Sequence, residues 1–143
     1  MNNNITEDYC SFEVSKLLKE KGFEVNTLFF YWGNGQEGNG RIGKLGSYDN
    51  CYIRAKYDYK EENICPMPTH ALAIKWIREN FGIHIEIRHI KTFGINRFHI
   101  IIWKYGEKDY HTIHCDNKIG YEVWDKPEEA TEAALLYTLK HLI

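Results

Sequence analysis

The chain has 143 residues, with 18 Lys and Arg against 20 Asp and Glu for a formal charge of −2, and it is rich in aromatics: ten Tyr, seven Phe and four Trp. That length suits one domain, 1–143, with its own core, and the charges are scattered, leaving no basic block to neutralise a row of phosphates, so duplex nucleic acid is excluded as a partner. The apolar runs, such as Leu28 to Trp32, are far shorter than a membrane span, and the opening Met-Asn-Asn-Asn lacks the basic and apolar regions of a leader, so a cytoplasmic protein with no membrane partner is expected.

Thr6-Glu7-Asp8 has the form of a helix start, with Thr6 as N-cap and Ile5 and Cys10 as a hydrophobic staple; Cys10, Val14, Leu17 and Leu18 follow on one face. Gly22 supplies a left-handed stop and Phe23 falls where a Schellman motif folds back, giving a first helix over 6–21. Strands are expected at Thr27 to Trp32 and at Cys51 to Tyr57, both rich in β-branched or aromatic residues. Between them lies a loop, Gly33 to Gly46, with six of the eleven glycines. The prolines of Cys65-Pro-Met-Pro-Thr69 keep the chain extended before a second helix over 69–81, whose apolar face is His70, Ala73, Ile74, Ile77 and Phe81, and Gly82 ends it.

From Ile83 the period changes to two: Ile83, Ile85 and Ile87 alternate with His84, Glu86 and Arg88. Thr92-Phe-Gly-Ile95 turns this strand into Arg97 to Trp103, and Gly106-Glu107 turns that into Tyr110 to His114, a three-strand meander. Tyr121 to Trp124 reads as a short strand. Asp125 or Lys126 then caps a last helix with Pro127, Glu128 and Glu129 in its first turn. Leu135, Leu136, Tyr137, Leu139, Leu142 and Ile143 make that helix apolar over more than one stripe, so it is either deeply buried or the contact of a homo-oligomer. The expected fold is α+β, in the order αββ-αβββ-α, with an antiparallel sheet of about five strands packed on one face by helices.

If the first meander turn pairs Lys91 with Asn96, all the large aliphatic residues of the strand fall on one face, opposite Phe98, Ile100 and Ile102, and Ile113 and Cys115 extend that face. The other face then carries His84, Glu86 and Arg88, beside His99, Ile101 and Trp103, beside Tyr110, Thr112 and His114. Imidazoles, a guanidinium and two aromatics on one surface can hold a planar or anionic ligand, or a host protein, by stacking and charge-assisted hydrogen bonds. The plain alternative is the wet side of an antiparallel sheet. Although His99, His114 and Glu86 have zinc-ligand chemistry, no metal-ligand spacing accompanies them, and neither a metal nor a cofactor is expected.

Gly33 to Gly43 fits G-x-G-x-x-G twice in overlap, and Gly38 to Lys44 fits G-x-x-x-x-G-K, but no helix follows to receive a phosphate, so what remains is a loop whose Arg41 and Lys44 could close over an anion. Cys10, Cys51, Cys65 and Cys115 contain no Cys-x-x-Cys and read as buried thiols. Cys65, ahead of a helix and followed by sheet histidines such as His99, carries the one catalytic alternative. Its order is similar to that of papain-like cysteine hydrolases, with Cys65 as nucleophile and His99 as base, although Pro66, Met67 and Pro68 separate the thiol from the helix start.

Three segments, Ser15-Lys-Leu-Leu-Lys-Glu-Lys-Gly-Phe23, Ala71-Leu-Ala-Ile-Lys-Trp-Ile-Arg-Glu-Asn-Phe-Gly-Ile-His-Ile-Glu-Ile87 and Tyr121-Glu-Val-Trp-Asp-Lys-Pro-Glu-Glu-Ala130, resemble a family of small uncharacterised proteins from gut-bacterial phages and mobile elements. That family has no assigned activity; the resemblance implies the setting alone, phage–host conflict, in which the non-enzymatic accessory protein expected from the polar sheet face would sequester a nucleotide-like signal. It carries over no catalytic residue, because the matching positions are helix caps and core side chains.

Overall fold

The computed structural model describes residues 5–32, 41–43, 52, 53, 56, 64–106 and 123–143. The chain divides into two compact units, 1–70 and 71–143. Its class is α+β with antiparallel pairing, but the described strands form two sheets, of three strands and of two, rather than one sheet of five.

In the first unit, α1 spans Phe12–Glu20 and begins six residues later than Thr6. Ser11 is the N-cap, its hydroxyl accepting from the Val14 amide at 3.2 Å. The expected start fails because the residues before Ser11 are held extended. Tyr9 bridges Thr69, the Cys10 amide donates to Pro68 O at 2.9 Å and the His70 amide to Asp8 O at 2.8 Å. Ile5 is 89% exposed and makes no staple. The other end of α1 follows the sequence closely. Gly22 has φ +90, its amide donates to Lys19 O, and the Phe23 amide donates to Leu18 O, the two bonds of a Schellman motif. Phe23 is thereby carried back into the core, fully buried with Leu18.

The sheet of this unit has β1 (Phe29–Trp32) at its centre, between β2 (Arg41–Gly43) and β3 (Ile64–Met67). The glycine-rich segment thus contains a strand, with Trp32 opposite Arg41. The segment expected only to lead into a helix is β3, with Phe30 opposite Pro66 and Tyr31 opposite Cys65. An outer strand tolerates the missing amide of Pro66. Phe30 and Ile64 pack with Tyr52 on one face; Tyr31, Cys65 and Met67 pack with Tyr9, Phe12 and Phe29 on the other. The strand expected over Cys51 to Tyr57 is overturned where it is described: Tyr52, Ile53 and Lys56 have helical backbone. Tyr52 is fully buried and its amide donates to Thr27 O, so burial of that ring outweighs the strand preference of the segment.

In the second unit, α2 (His70–Phe81) buries Ala73 and Ile77 and stops at Gly82, whose φ is +65. β4 (Ile83–Thr92) and β5 (Ile95–Lys104) follow as a hairpin, and α3 (Pro127–His141) packs on it. Lys126 is the N-cap of α3, with Pro127 at its first position and Glu128 and Glu129 in the first turn. Its buried residues, Ala130, Thr131, Ala134, Leu135, Thr138 and Leu139, make one stripe at i, i+4 spacing, whereas Leu136, Tyr137, Leu142 and Ile143 are half-buried. Of the two readings of this helix, the packed one describes Leu135 and Leu139, each 0% exposed.

Tyr110 to His114, the third meander strand, lies outside the described residues. On the edge of β5 away from β4, Phe98 exchanges two main-chain hydrogen bonds of 2.9 Å with Trp124, the place opposite Phe98 that the expected meander gives to Cys115. No described helix is long and apolar enough to cross a membrane.

Candidate functional site

The site is built by the β4–β5 turn. Phe93 and Gly94 have φ of +51 and +79, the positive values that a type I′ hairpin turn requires at both central positions. That turn fixes Lys91 opposite Asn96 and, from there, Arg88 opposite His99, Glu86 opposite Ile101 and His84 opposite Trp103. The expected register is the observed one. Since side chains alternate across a strand, Ile83, Ile85 and Ile87 share a face with Phe98, Ile100 and Ile102, and the candidate residues share the other. Ile83, Ile85, Ile100 and Ile102 are all buried, which holds the register, because a one-residue slip would move every one of them to the opposite face.

On the polar face the rings of His84 and Trp103 stack almost parallel, 5.2 Å between centroids and 6° between planes. His84 Nδ1 is shielded from solvent and has no hydrogen-bond partner among the described residues, so a donor or acceptor brought to it would find its valence open. Arg88 Nε donates to Glu86 Oε1 at 3.1 Å, with the two side chains 51% and 34% exposed. So exposed a pair is worth little to stability, and the half-exposed guanidinium is within reach of an anion from solvent. Nearer the tip, Arg97 is paired with Asp125, which enters from the segment ahead of α3.

The face is not the open wet side of a sheet along its whole length. Ile101, opposite Glu86 at its middle, is 7% exposed and His99 is half-buried, leaving Arg88 as the exposed member of the set. The uninterrupted Ile100-Ile101-Ile102 carries that signal, since a strand covered on both sides loses its polar alternation. The Arg97–Asp125 pair had no such signal, because it depends on Trp124 lying beside Phe98.

His84, Glu86, Arg88, His99 and Trp103 are therefore gathered on one face. Tyr110, His114 and Lys44 lie outside the described residues, and Arg41 is placed in β2 of the first unit. Cys65 lies inside β3 rather than at a helix start, packed with Tyr31 and Met67. Burial pushes its thiol up from the ordinary range, and the opposing pull of Lys19 and Lys16 is weaker. A nucleophilic thiolate needs the reverse shift. Compared with protein-family models, curated proteins and solved structures, the chain matches none.

Proposed function

We propose that this is a non-enzymatic binding protein that takes a small ligand, planar at one end and anionic at the other, on the polar face of the β4–β5 hairpin. The observation that supports this reading is the register itself, which sets the His84–Trp103 stack and the Arg88–His99 pair on one surface. His84 and Arg88 are four residues apart, about 13 Å along a strand, which is roughly the reach of a nucleotide from base to outer phosphate. The indole offers its π surface to the planar end, the guanidinium takes the anion, and Ile101 gives an apolar floor between them. The family resemblance adds the setting alone, phage–host conflict, in which such a protein would sequester a nucleotide-like signal.

Calorimetric titration with nucleoside diphosphates, alongside native mass spectrometry of the protein from its own host, tests this reading. Arg88→Ala is expected to weaken binding by about 10- to 100-fold, the cost of one charge-assisted hydrogen-bonded contact, and Trp103→Ala by a comparable factor. A wild-type protein that takes up no such ligand, or affinity unchanged in Arg88→Ala, would sink it.

A further inference from the structure

The two edges of the β4–β5 ribbon differ. On the outer edge of β5, Phe98 is bonded to Trp124 through its main chain, so its pairing with His89 on the inner side carries no hydrogen bonds. By alternation the main-chain groups of His89, Ile87 and Ile85 point away from β5, along the outer edge of β4, and among the described residues nothing is hydrogen-bonded to them. That edge is long and lacks the usual obstructions. The register with β5 runs unbroken from Ile83 opposite Lys104 to Thr92 opposite Ile95, with no bulge, and the strand holds no proline. A row of open amides and carbonyls on a regular strand is a template for another strand.

The residues of β4 decide which strand fits. Two copies of β4 related by a two-fold axis pair residues placed symmetrically about one central position. Centred on Glu86 or on Arg88, the pairing sets like charges directly opposite. Centred on Ile87, it sets Ile87 against Ile87, Ile85 against His89, and Glu86 of each copy against Arg88 of the other. Those two charge pairs fall at non-hydrogen-bonded positions, where facing side chains come closest. Within one chain Arg88 Nε already donates to Glu86 Oε1 at 3.1 Å, and at 51% and 34% exposure both side chains are within reach of a second copy.

We infer that β4 is a dimerisation edge: a second copy of this chain adds its own β4 antiparallel about Ile87, making a four-stranded sheet in the order β5-β4-β4-β5. Main-chain hydrogen bonds along Ile85, Ile87 and His89 supply affinity, and the two Glu86–Arg88 pairs fix the register. The inference does not depend on ligand binding.

Charge reversal tests it without reaching the core. In sedimentation velocity over a concentration series, the wild type is expected to pass from monomer to dimer. Glu86→Arg and Arg88→Glu each set like charges opposite at both symmetric positions and should raise the dissociation constant of the dimer by about 10- to 100-fold, while melting like the wild type. Mixed in equal amounts, the two variants regain opposite charges and should associate with each other about as well as the wild type does with itself. A wild type that stays monomeric at every concentration, a Glu86→Arg protein that associates as tightly as the wild type, or a mixture no tighter than either variant alone would overturn the inference.

Discussion

Replacing Leu139 with aspartate is expected to unfold the second unit rather than to dissociate an oligomer. Leu139 lies fully buried on the stripe of α3 that also holds Leu135 and Ala134, so the carboxylate would be taken from water with no partner provided for it. That costs about 4 kcal/mol or more, a large share of the roughly 5–15 kcal/mol that holds a small domain together. Far-UV circular dichroism with a urea titration checks it. Leu136→Asp, at a half-buried position on the same helix, is the comparison and should stay folded. A folded, monomeric Leu139→Asp protein would mean that this stripe is a subunit contact.

Ile102→Ala should lower the unfolding free energy by about 2–5 kcal/mol, from lost transfer energy together with the cavity left behind. Ile102 is 0% exposed and lies opposite Ile85, at the centre of the aliphatic face. Ile87→Ala, a half-buried neighbour on that face, should cost less. Because the same isoleucines hold the register, the loss should also appear as weaker ligand binding at a surface the substitution does not touch. Equal midpoints for wild type and Ile102→Ala in urea would count against the packing described.

Much of this fold is legible where local chemistry decides it. Gly22 and Gly82 stop their helices because the chain needs positive φ there, and the Ile-x-Ile-x-Ile alternation with a Phe-Gly turn leaves β4 and β5 a single sensible register. Distant partners decide the rest. Thr6 resembles a cap as well as Ser11 does, until residues 8–10 are seen to pair with 68–70. Tyr52 has strand propensity, but its ring fills the space against Phe30 and Ile64 and its backbone turns helical. The prolines of residues 65–69 account for an extended lead into a helix, and it is the outer position beside β1 that makes this stretch a strand. At the candidate site the row assignments of His84, Glu86, Arg88, His99 and Trp103 follow from the alternation and the turn together. The covering of Ile101 and the capture of Arg97 by Asp125 depend on segments brought in from elsewhere in the chain.

The gathering of those five side chains rests on one pairing, and cross-strand Hα–Hα nuclear Overhauser effects read it most directly. Phe98 directs its main-chain groups to Trp124, so its pairing with His89 is of the non-hydrogen-bonded kind, and by alternation so are Ile87 with Ile100 and Ile85 with Ile102, with Cα atoms about 4.5 Å apart. Strong effects linking those three pairs are the expected result. Effects linking Ile87 to His99 or Ile101 instead would put Arg88 and His99 on opposite faces and contradict the account.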